Sequence, residues 1–137
     1  EIIDRSAPEG RSRHHFILQD GEPVPDPYTD DLSLVIGPGE GRGFVVCGCC
    51  HAGLLNTLRH VQARRWPTIV GIAGGIHLVN AAAETQAETL EALQELDSLA
   101  DLWLGHCSGP SFVERVQEAF DPSVLHPKSA GHSITIE

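Results

Sequence analysis

The chain switches between two hydrophobic periods. Leu32-Ser-Leu-Val-Ile36 alternates and is rich in β-formers, Gly37-Pro-Gly-Glu-Gly41 supplies a turn, and Gly43 to Cys47 stays apolar, so this stretch reads as a hairpin. Leu54, Leu55, Leu58 and Val61 then recur at helical spacing. Arg64 and Arg65 suit the negative end of a helix dipole and Pro67 stops it, which predicts a helix over Ala52–Arg65. Thr68–Ala73 and Leu102–Leu104 are short apolar runs of strand character. Between them, Leu90, Leu93, Leu96 and Leu99 oppose glutamates at 84, 88, 91 and 95, predicting an amphipathic helix over Glu84–Leu99 with a solvated acidic face. Ser111–Phe120 predicts a third helix and Ser133–Ile136 a closing strand. The order β-β-α-β-α-β-α-β, with short connections, argues for an α/β fold with helices layered on one sheet.

Residues 1–30 break the pattern. Pro8, Pro23, Pro25 and Pro27 among scattered charges read as an extended connector with one short strand at His15–Leu18, leaving residues 31–137 as the folded part. At 137 residues the whole is one domain at most. Nineteen acidic residues against nine basic give a net charge of -10, which repels nucleic acid and anionic membranes. No apolar run reaches the roughly 18–20 residues of a membrane span, and the polar start lacks a signal-peptide pattern, so a cytoplasmic protein is expected. The four cysteines, Cys47, Cys49, Cys50 and Cys107, are too clustered for a disulfide framework, and reduced thiols are expected. Cys47 and Cys49 read as small core residues. Cys50 and Cys107 adjoin histidines, which leaves a site role open for them.

Three histidines carry the chemistry. His51, His77 and His106 each follow the end of a predicted strand, in Cys47-Gly-Cys-Cys-His-Ala-Gly53, Gly74-Gly-Ile-His-Leu78 and Gly105-His-Cys-Ser-Gly109. Side by side in one sheet, these strands would deliver three imidazoles to one rim, where α/β folds collect ligand and metal sites. Neutral imidazoles suit zinc, iron or manganese, and the flanking glycines allow close backbone approach. His14, His15, His60, His126 and His132 lie in the connector, on a helix surface or in loops and read as structural.

The run Asp30–Ile36, Phe44-Val-Val-Cys-Gly-Cys-Cys-His-Ala-Gly-Leu-Leu-Asn56, Gly74–Leu78 and Gly105–Gly109 resembles the C-terminal half of metallo-β-lactamase-fold proteins. The branch it is similar to is the metal-dependent hydrolases of the dihydropterin/ribofuranosylaminobenzene 5'-phosphate synthase group. The resemblance covers about residues 26–137 and implies one sheet with its helices from an αββα sandwich. It implies that His51 and His106 are metal ligands, that the metal is zinc, with iron or manganese as alternatives, and that His77 is a catalytic residue, with ligand, support of a ligand, or substrate contact as its open roles. Ser108 and Gly109, beside the helix start at Ser111, are implied to meet an anionic group on the substrate. Where the family usually has one cysteine before the first of these histidines, this chain has Cys49 and Cys50 together.

The fold's primary motif, His-x-His-x-Asp-His, belongs to its N-terminal half and is absent from these residues. Together with the missing initiator methionine, that leads to the expectation of a C-terminal portion of a longer chain, inactive alone and paired with its own N-terminal half or a second copy. Completed, it would be a metal-dependent hydrolase of a small-molecule, phosphorylated substrate. The alternative is a non-catalytic half-domain that binds a metal or a partner. A thiol redox role is disfavoured, because no Cys-x-x-Cys opens a helix.

Overall fold

Each of the three apolar runs becomes a strand with one face against helices and one face away from them. The computed structural model describes residues 5–6, 15–29, 31–39, 41–126, 131 and 133–136. Its elements are β1 (Phe16–Gln19), β2 (Glu22–Pro25), β3 (Ser33–Gly39), β4 (Arg42–Cys47), α1 (Leu54–Gln62), β5 (Thr68–Gly74), α2 (Ala83–Gln94), β6 (Asp101–Leu104) and α3 (Pro110–Ala119), with a single 3-10 turn at His106–Ser108 before α3. The main sheet has the order β3-β4-β5-β6. Its first pair is antiparallel, as a hairpin must be, and the next two are parallel, each joined through a helix.

The side-chain period of two sorts the sheet into two faces. Val45, Cys47, Ile69, Ile72, Leu102 and Leu104 form one buried cluster with Leu54, Leu58 and Val61 of α1, Leu93 of α2, and Phe112 and Val116 of α3. All three helices therefore lie on the same face. Burying an aliphatic or aromatic side chain contributes roughly 1.5–3 kcal/mol, so this cluster dominates the stability. The opposite face holds a smaller cluster of Phe44, Val70 and Ala73, flanked by Val46, Trp103 and Ile136. Phe44 is buried there because its ring lies over Gly71, where a Cβ would come within 2.3 Å of it. That face continues onto β3, where Leu34 and Ile36, paired with Val46 and Phe44, are 60% and 40% exposed.

Three expectations are corrected. The connector contains a hairpin rather than one strand: β1 and β2 pair through Asp20 and Gly21, both with positive φ, the conformation of a tight Asp-Gly turn. Pro23 and Pro25 fit β2 because an edge strand leaves one side of its backbone unpaired. Ser133–Ile136 is not a strand. The free edge of β6 is taken instead by Leu125, bridged to Leu102, with the Leu102 N–H donating to Val124 O (2.7 Å) and the His126 N–H to Leu102 O (2.9 Å). A turn at Asp121, whose carboxylate accepts from the Ser123 N–H and hydroxyl, brings that segment round. Finally, α2 stops at Gln94, and Leu96 and Leu99 pack on the core from the turns beyond it. No described helix is long and apolar enough to cross a membrane. His14 and His132 lie outside the described residues.

Candidate metal centre

Register fixes the rim. Cys47 pairs with Gly74 and Gly74 with Leu104, so three parallel strands stop side by side and the loops that follow them share one edge. The glycines there serve close packing between the strand ends. Gly74 has φ +122°, and a Cβ on it would sit 2.0 Å from the Cys47 carbonyl oxygen. A Cβ on Gly75 would lie 2.2 Å from the Cys107 sulfur, and one on Gly105 2.8 Å from the Gly75 nitrogen. The close approach that these glycines allow is used between the strand ends, where neighbouring backbone and a thiol fill the space. Gly75 N–H donates to Gly48 O (2.9 Å), and Gly105 N–H donates to Gly74 O, stitching the three ends together.

This arrangement brings His51 and His77 together, with ring centroids 4.5 Å apart and the rings edge to face. His77 is held in the left-handed region at φ +48°, and its Nδ1 is buried without a hydrogen-bond partner among the described residues. Such an orphaned nitrogen costs free energy unless a ligand satisfies it. Burial, then the neighbouring His51, lower the His77 pKa and keep its ring neutral, the form that binds metals. His106 stands exposed at the start of the 3-10 turn on the same rim.

The cysteines divide differently from the expectation. Strand alternation ends at Cys47, the chain bends at Gly48 and Cys49, and Cys50 adopts φ +56°. Cys50 therefore turns into the core, with Thr57 Oγ1 3.4 Å from its sulfur, while Cys49 stays at the rim. Ligand atoms of Cys49, His77 and Cys107 all lie within 4.8 Å of one another, a grouping that could hold a metal ion. Burial and the adjacent Cys107 thiol push the Cys49 thiol pKa up. All four cysteines carry free thiols.

Two residues missed by the sequence reading also reach the site. Tyr28, buried at the end of the supposed connector, packs its ring 4.2 Å from that of His51, and its hydroxyl contacts His15 Nδ1. Asp31 accepts from the Ala52 N–H (3.3 Å) and places a carboxylate near the rim. Only a lone aromatic among prolines and one acid of an Asp pair signalled them. Ser108 is fully buried with its Oγ unpartnered among the described residues, and Gly109 packs against Val79 at φ +82°, so neither is open to solvent. The Ser111 hydroxyl donates to Gln86 Oε1 (3.4 Å). His126 bonds Asp101 Oδ1 at 2.6 Å and stacks on Trp103.

No family model matches the chain, and no curated protein does. Among solved structures, the chain is similar to the crystal structure of Tm1679, a metal-dependent hydrolase of the beta-lactamase superfamily, with a TM-score of 0.77 and 24% identity. The two share a fold. The match takes in 88% of this chain and 46% of that one, so the chain spans about half the length of its structural neighbour.

Proposed function

We propose that this chain is the C-terminal half of a metal-dependent hydrolase of the metallo-β-lactamase superfamily, in the branch similar to the dihydropterin/ribofuranosylaminobenzene 5'-phosphate synthase group. The observation that carries it is the common stop of β4, β5 and β6, which sets His51, His77 and His106 on one rim of a fold shared with a metal-dependent hydrolase. The donors suit a divalent metal: the thiols of Cys49 and Cys107 and a ring nitrogen of His77. His51 and His106 would hold zinc, with iron or manganese as alternatives, and such an ion supplies Lewis acidity and an activated water. His77, kept neutral by burial, would either ligate the ion or accept or orient a proton beside it. Tyr28, against the His51 ring, fixes that ring's orientation.

The remaining ligands would come from an N-terminal half or a second copy, laid over the sheet face that carries Phe44, Leu34 and Ile36. The substrate would be a small phosphorylated molecule, and the free thiols suit the cytoplasm. The test is elemental analysis of bound metal in the wild-type chain and in His51→Ala and His106→Ala. Loss of metal in both variants supports the reading, and unchanged stoichiometry in both overturns it. In the assembled protein, His77→Gln distinguishes a ligand, whose loss removes metal, from a catalytic group, whose loss leaves metal and lowers ester or phosphodiester turnover.

A further inference from the structure

We propose that Cys49, His77 and Cys107 form a thiolate site for a thiophilic divalent cation, zinc, built wholly from this chain. The assignment deepens the metal-centre reading and rests on it only for the presence of a metal at this rim.

The geometry is close to what zinc requires. Tetrahedral coordination with bonds of about 2.3 Å to sulfur and about 2.0 Å to nitrogen sets ligand atoms about 3.5–3.8 Å apart. The three ligand atoms here lie within 4.8 Å of one another, so side-chain rotations of about 1 Å close the site. The two sulfurs reach one place from loops 58 residues apart in sequence. Gly75 keeps that place clear, since a Cβ there would collide with the Cys107 sulfur. The thiol partners are weak: Cys107 Sγ has the Cys49 thiol beside it and the Cys49 carbonyl at 3.9 Å, a long contact even for sulfur. His77 contributes one ring nitrogen, its Nδ1 is buried without a hydrogen-bond partner among the described residues, and its left-handed backbone is the kind of strain that persists where the surroundings hold a site together.

Small, packed thiols explain Cys47 and Cys50, which lie in the core. They do not explain Cys49, which is only partly buried and sits against a second thiol and an imidazole. Two thiolates and one neutral imidazole select a thiophilic ion over magnesium or calcium. Binding would release the two thiol protons.

The experiment titrates the reduced chain with cobalt(II), then displaces it with zinc. A stoichiometric thiolate-to-cobalt charge-transfer band is expected, lost in Cys49→Ser and in Cys107→Ser together with at least tenfold weaker zinc binding, and retained in His126→Ala. Should a serine variant fail to fold, the wild-type chain decides: zinc should protect Cys49 and Cys107 from alkylation, mapped by mass spectrometry. Metal bound without a thiolate band, or without that protection, overturns the site. If such metal is also lost in His51→Ala and His106→Ala, the histidine reading stands while this one falls. A chain that binds neither ion overturns it as well.

Discussion

Replacing Gly74 with alanine tests whether crowding between strand ends builds the rim. The added methyl would sit 2.0 Å from the Cys47 carbonyl oxygen and 2.8 Å from its carbon, in a backbone held at φ +122°. The backbone strain alone costs about 1–3 kcal/mol. Relieving the overlap means parting β4 from β5, which weakens the Gly75-to-Gly48 bond and the Gly105-to-Gly74 bond. At about 0.5–1.5 kcal/mol for each, added to the strain, the total comes to about 2–6 kcal/mol. A chain of this size has about 7–20 kcal/mol of stability, so the variant should still fold. Its urea midpoint should fall by about 2 M for a slope near 2 kcal/mol/M. The control is Gly39→Ala, at φ +134° with nothing within 4 Å among the described residues, which carries the strain without the collision. Equal losses in the two variants, within about 0.5 kcal/mol, would refute the crowding explanation.

His126→Ala should cost about 1 kcal/mol through the lost Asp101 bond and Trp103 stack, change the tryptophan fluorescence, and leave bound metal untouched; metal loss would make His126 part of the site. Gln86→Leu should destabilise by about 1–3 kcal/mol, read by urea denaturation, because the Gln86 amide ties Leu78 O to the Ser111 hydroxyl from a buried position. The chain should self-associate in sedimentation through the sheet face away from the helices, and Leu34→Glu with Ile36→Glu should weaken that at less than about 0.5 kcal/mol each in stability; a clean wild-type monomer at high concentration would count against it.

The helices and core strands were legible because their periods are strong: Leu54, Leu58 and Val61 do face the core, and so do Ile69, Ile72, Leu102 and Leu104. Strand neighbours were not, since pairing is set by crossovers that periodicity does not record. Ser133–Ile136 has strand composition, yet Val124–His126 reaches the β6 edge first through a short turn, and an edge accepts one partner. The rim was readable in its histidines and misread in its cysteines. Alternation was carried past Cys47, where the strand ends, so Cys49 and Cys50 exchanged places between site and core. Tyr28 and Asp31 reach the site only through the fold, and no local pattern announces such contacts.

Strands adjacent in the sheet are also adjacent in sequence from β3 to β6, so every pairing closes a loop no longer than one helix and its turns. Such local topology favours fast folding by accretion, one unit docking on the last. The cluster at the edge obeys a different clock: Cys49 comes from an early unit and Cys107 from the final one, so it exists only after β6 has docked. Contacts made after the transition state slow unfolding without speeding folding. An ion held there would act as a latch on the finished domain, lengthening its lifetime while leaving its rate of assembly unchanged.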